Sequence, residues 1–375
     1  MPHYRHYPLP SAQAFTTSGA ISLEIAPTPI TITRMAIVIR ASITTGSATN
    51  FNDYWDRMIS SLTLNWAGHT VFSFQNMRPA YHHTRFVPPT TKRPTVIANG
   101  VTDDVTQQPA YIFHFGVAPL TVDQHGMVHD NPFDLTAGIP PVGVGNLTLT
   151  GNWPAFEDTM GTNVDIADAP FDVYLWGIQP LPTDPPELWM PRAIPSWQMS
   201  TPTPTATSSP FATIYNIPAG GHLHSMTVML TNGTNAPRQD DILNSLRLYS
   251  AKEARSIITY GGQASGVQGL SQYQAAEILS QQYVNGWVPT DDSPDGTLGV
   301  PSVLQGRDSG LVHFPIARYI DPRRPMAEYG ADLRQLATGD LQLNQGVEDA
   351  TGINMFVLMR KYNLYAEHPA SAALL

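Results

Sequence analysis

A chain of 375 residues with 34 prolines, 28 glycines and no cysteine is not a helical bundle, because proline breaks helix interiors and glycine weakens them. Nor can it use disulfides, cysteine-ligated zinc or thiol catalysis. Charged residues make up 13% of the chain and the net charge is −10, which excludes the broad basic face that direct nucleic-acid binding requires.

The length exceeds a single core of ordinary size and predicts two domains of about 150–200 residues. Residues 1–20 are polar and irregular and read as an N-terminal arm. The arm contains no apolar run of the secretory kind, and no stretch reaches the roughly 18 apolar residues of a membrane-spanning helix. These features predict a protein made in the cytoplasm. The strand series opens at 20–25 (AISLEI) and continues at 30–43 (ITITRMAIVIRASI), where Met35, Ile37, Ile39, Ala41 and Ile43 share the core face. One or two helical turns are expected over 52–61, then strands at 62–66 and 70–74 joined by a turn at Ala67-Gly68-His69. Further strands are expected at 111–115, 146–150 and 171–176, with long loops over 78–110 and 120–145.

A Pro-rich stretch follows, ending in TPTPTATSSP at 201–210, where the chain should be extended and weakly packed. The expected organisation is a first β-domain over 21–190, a Pro/Thr-rich linker over 191–210 and a second β-domain over 211–375. In the second domain, strands are predicted at 211–217 and 224–230, before the turn Asn232-Gly233. Residues 240–260 mix two periods: Ile242, Leu246 and Tyr249 have helical spacing, whereas 256–260 reads as extended. The best helix is 271–283, with Ser271 as N-cap and Gly286 beyond its end. Strands close the chain at 311–314, 332–336, 340–343 and 353–365.

Few residues suggest chemistry. His222 and His224 alternate on one strand face, as in the paired histidines of cupin metal sites. No glutamate follows within 225–230, so they are weak metal candidates beside the plainer reading of turn or interface histidines. His82 and His83 are adjacent and would point to opposite faces of a strand. His125, His129 and Asp130 share one polar loop. The carboxylate pairs Asp103-Asp104, Asp240-Asp241 and Asp291-Asp292 sit beside turn formers, where aspartate caps backbone N–H groups. There is no G-x-S-x-G, no P-loop and no spaced Ser/His/Asp set, so neither an active centre nor a cofactor is expected. The basic group Arg318, Arg323 and Arg324 reads either as inter-strand salt bridges or as a subunit contact, since arginine forks suit interfaces. Trp189 and Trp197 are core or interface anchors, and both join the interface candidates.

Three segments carry a family resemblance. Residues 33–44 (TRMAIVIRASIT) form a long opening strand, followed by a Gly/Ser/Asn loop and a short helix–strand. Residues 313–325 (HFPIARYIDPRRP) form a late loop with paired basic residues. Residues 344–365 lead from an Asn-Gln turn through Gly352 into a final strand ending in Tyr362 and Tyr365. In that order the chain resembles the double-jelly-roll major capsid proteins of tailless icosahedral double-stranded-DNA viruses, the tectivirus-like lineage. The resemblance implies an all-β fold of two consecutive eight-stranded jelly-roll barrels with a few short helices in connecting loops. It also implies a homotrimer whose six barrels make a pseudo-hexagonal tile of a virion shell. Its partners would be neighbouring trimers, minor capsid and vertex proteins and an internal membrane, with no sequence-specific nucleic acid. The alternatives are a two-domain jelly-roll carbohydrate-binding protein or hydrolase, and a minor or vertex capsid protein.

Overall fold

The computed structural model describes residues 3–8, 18–25, 29–39, 41–45, 58–86, 105–107, 110–117, 120–122, 124, 128–131, 133–140, 146–155, 164–167, 171–204, 213–232, 243–261, 311–347 and 352–364. The chain divides into two units, Met1–Gln198 with Arg360–Leu375, and Met199–Met359.

The strands of the first unit are β1 (His3–Pro8), β2 (Ala20–Ile25), β3 (Thr31–Ile39), β4 (Ala41–Thr45), β5 (Ser61–Trp66), β6 (His69–Phe74), β7 (Val105–Gln107), β8 (Ala110–His114), β9 (Leu120–Val122), β10 (Val128–Asp130), β11 (Leu147–Asn152), β12 (Val164–Ala167), β13 (Phe171–Gln179) and β14 (Ala193–Ser200). One sheet has the order β1-β13-β3-β8. A second runs β6-β5-β11-β2, with β14 joining β6 in parallel. The alternation in β5 is clean: Leu62, Leu64 and Trp66 are buried and the residues between them are half-buried. Ala67 and Gly68 both take positive φ, 48° and 79°, the conformation of the tightest hairpin turns, and return the chain into β6.

Aromatic rings join the two sheets. Phe113 of β8 stacks on Phe72 of β6 at 4.9 Å, and Trp197 meets Phe113 edge-on at 5.9 Å, geometries that add to the area they bury. At Gly177 the β13–β3 register shifts, and a Cβ there would lie 2.0 Å from the carbonyl oxygen of Thr31. Only glycine permits that approach.

In the second unit, β15 (Thr213–Asn216), β17 (Leu243–Ser250), β18 (Arg255–Gly261) and β21 (Leu341–Val347) form a sheet of order β15-β21-β17-β18. Facing it, β16 (His222–Asn232) lies between β19 (Leu311–Phe314) and β22 (Ile353–Leu364), and β20 (Ala331–Asp332) pairs the start of β16. Leu223, Met226, Val228, Leu246, Leu343 and Val357 belong to the core between these layers. The last strand begins in the second unit and ends in the first.

The structure departs from the sequence reading in several places. Residues 3–8 are a strand paired with β13 rather than an irregular arm. The first eight residues of the expected linker include five buried positions of β14, Ala193 to Trp197, because this Pro-flanked segment reads as polar only beyond Gln198. Residues 360–375 group with the first unit, not the second. An α-helix, α1 (Arg78–Phe86), stands in the expected 78–110 loop. The Asn76 side chain caps it by accepting from the Arg78 N–H at 3.0 Å, and Pro79 suits a first turn. His82 and His83 are therefore helical. The helical spacing of Ile242, Leu246 and Tyr249 is overridden: Leu246 and Tyr249 lie in β17, paired on both sides by β18 and β21. Of the helical turns expected over 52–61, residues 52–57 lie outside the described residues, as does the helix over 271–283, while 58–60 are irregular and Ser61 already opens β5.

Candidate functional site

Two loops of the second unit carry the same three-residue device. After a 3-10 turn at Ile316–Tyr319, Asp321 Oδ1 accepts from the Arg323 backbone N–H at 3.0 Å and from its Nε at 3.0 Å, while Oδ2 accepts from Nη2 at 2.9 Å. Asp332 and Arg334 repeat the pattern at 3.0, 2.8 and 2.7 Å. An aspartate two residues before an arginine in a turn can cap the backbone and receive the guanidinium fork with one carboxylate. The side-chain bonds from Arg323, then its backbone N–H, hold Asp321 below the usual carboxylate range. The same interaction with Arg334 brings Asp332 down to about 2. Arg323 is 88% exposed, so its pair adds little to stability.

These loops border a cleft of about 790 Å³ whose floor includes Leu248, Ile258, Ile316 and Leu333. Arg324 also lines it and is exposed. His222 also lines it, 2% exposed, in register with Asp332 and with its ring 6.1 Å from that of Tyr329. Gly220 and Gly221, at φ 93° and 66°, turn the chain into β16 just before it. A Cβ on Gly330, at φ 97°, would sit 2.1 Å from the carbonyl oxygen of Leu223, so glycine is needed for β20 to close against β16. His224 is half-buried on the same strand. Among the described residues, no group of three His, Asp or Glu side chains is placed to hold a metal ion.

The remaining candidates fall in different settings. Arg318 stands in the 3-10 turn, and its side chain lies outside the described residues. Trp189 is half-buried, its indole N–H donating to the carbonyl of Asp184 at 3.3 Å, while its own carbonyl accepts from the Thr31 hydroxyl. Trp197 is 4% exposed and packs against Phe72, Phe113 and Phe115, a core anchor with almost no surface left for a partner. His129 and Asp130 lie in β10, and their side chains, together with His125 and the three carboxylate pairs, are outside the described residues. Sequence reasoning singled out neither Lys252 nor the outer edge of β18, both beside this cleft, because a sheet edge leaves no local signal.

No protein-family model matches the sequence. No curated protein matches it either. Solved structures do. The crystal structure of the major capsid protein of Sulfolobus turreted icosahedral virus aligns with a TM-score of 0.68 at 13% identity, over 98% of this chain and 99% of that one. A chain in the atomic structure of the same virus aligns at 0.64 and 14% identity, over 99% and 95%. The major capsid protein P2 of bacteriophage PM2 aligns at 0.51 and 10% identity, over 96% and 98%. Matches of this extent require both sandwiches in the same chain order, so this chain has the double-jelly-roll fold of viral major capsid proteins.

Proposed function

We propose that this chain is the major capsid protein of an icosahedral virus, a non-enzymatic subunit that resides in the virion shell. In this reading three copies associate and their six barrels form a pseudo-hexagonal tile, which packs against neighbouring tiles and against minor capsid and vertex proteins. The observation that carries the proposal is the fold's agreement with a major capsid protein over 98% of this chain and 99% of the other. The composition supports it: with 13% charged residues, the surface is poor in the groups that resist burial in subunit contacts. Arg323 and Arg324, both exposed, are the first interface residues to test, and Arg318 and Trp189 are further candidates. Trp197 is left out because it is buried.

Size-exclusion chromatography with light scattering tests the assembly. The expected mass is about 120 kDa, three times the 41.0 kDa of one chain. A strict monomer under assembly conditions contradicts the proposal.

A further inference from the structure

Strand β18 ends its sheet with nothing paired to its outer side among the described residues: the order is β15-β21-β17-β18, and its register partners all lie in β17. Its residues Arg255, Ser256, Ile257 and Thr259 are exposed, Ile257 at 41%. Such an edge presents a row of N–H and C=O groups at the spacing another strand needs, and proteins usually blunt it with lysines, proline or a covering element. The register with β17 shifts at Ile257, a bulge that interrupts the regular spacing there, and Ile257 places an apolar side chain on the strand.

The first residues of this strand line the cleft. Ile257 and Ile258 line it from β18, and Met326, which is 41% exposed, lines it too. Charge is distributed unevenly around it. Each acidic residue of the lining is already engaged by a nearby arginine: Glu253 with Arg255, Asp321 with Arg323 and Asp332 with Arg334. Lys252 and Arg324 line the same cleft, are exposed, and form no ion pair among the described residues. Among the described residues, an unpaired strand edge, an apolar floor, the cation Lys252 and Arg324, whose charge acts on Asp321 alongside that of Arg323, therefore meet in one place, in a chain of net charge −10.

We infer that this cleft takes up an extended segment of a partner protein, one that alternates apolar and acidic residues, by strand addition to β18. The segment's main chain completes the open edge, its apolar side chains cover Ile257, Ile258 and Met326, and its carboxylates reach Lys252 and Arg324. An anionic lipid would satisfy the two cations but has no main chain to pair with β18, so the peptide accounts for more of the site. The inference concerns the second unit alone and assigns Arg324 to this cleft rather than to a subunit contact, and its readout, peptide binding, is separate from the mass that tests the shell.

The test uses the full chain and a short fluorescent peptide alternating valine and glutamate, followed by fluorescence anisotropy. This peptide should bind about tenfold tighter than its valine–lysine counterpart, and methylation of alternate backbone nitrogens, which keeps every side chain, should weaken it about tenfold. The double substitution Lys252→Glu with Arg324→Glu should reverse the preference between the two peptides, with an unchanged melting temperature as the control for folding. The two peptide comparisons on the unaltered chain decide the matter if that variant does not fold. Equal binding of both peptides, indifference to N-methylation, or uptake of phosphatidylserine vesicles without peptide binding overturns the inference.

Discussion

His114, at the end of β8, is 7% exposed, and both charges that act on it are positive. Arg34 is its cross-strand partner, and the Arg360 Nη2 donates to its carbonyl at 2.7 Å. Burial first, then these two guanidiniums, bring the imidazole from 6.5 down to about 3. Because the folded value lies below the unfolded one, the unfolded chain binds the extra proton between them. Stability is thus fully present above pH 6.5 and is lost as pH falls toward 3. At about 1.4 kcal/mol per unit, this one residue should cost about 2 kcal/mol between pH 6.5 and 4.5, a window above the ordinary carboxylate range. Urea unfolding across that window should show the loss, and His114→Gln should flatten that slope relative to the parent chain. A parallel slope in the variant would show that other groups carry the acid sensitivity.

One side chain anchors the end of the last strand through three hydrogen bonds. Arg360 of β22 is 1% exposed, and its Nη2 donates to the carbonyls of His114, Phe115 and Gly116 at 2.7, 3.3 and 2.8 Å. Its guanidinium also lies 5.5 Å from the Trp197 ring and 5.2 Å from that of Tyr362, contacts that gain strength away from water. Arg360→Leu should strand three buried carbonyls and destabilise the chain by about 3 kcal/mol, with Arg360→Lys recovering part of the loss. Chemical denaturation of the three proteins measures this. A leucine variant as stable as the parent would mean that water replaces the fork. Nothing in INMFVLMRKYNL marks this arginine as buried. The run reads as a strand from its apolar residues, but a long-range carbonyl cage formed across about 245 positions has no local signature. Where period and turn chemistry agreed, as in β5 and its turn at Ala67 and Gly68, the element was legible. Helix α1 was hidden by its two histidines and its proline, which also suit a loop. In β17, pairing on both sides outweighed a helical spacing of only three residues.

At the scale of the whole molecule, the all-β class and the doubling of the β-unit were readable from strand spacing, turn residues and proline content. Where the chain crosses between the units was not, because β14 and β22 each continue past the boundary as unbroken strands. The placement of the arginine candidates was legible only in part: Arg323 and Arg324 are exposed as an interface requires, but the cleft beside them depends on β18 and Lys252, which only the fold brings there. Two barrels in one chain convert three-fold symmetry into a nearly six-fold outline, the geometry on which the proposed shell role rests. Electron cryomicroscopy of the purified full chain under assembly conditions tests that claim most directly. The account predicts three-fold particles with six barrel-sized lobes, two from each copy. Particles of a single copy, or closed rings of another symmetry, would contradict it.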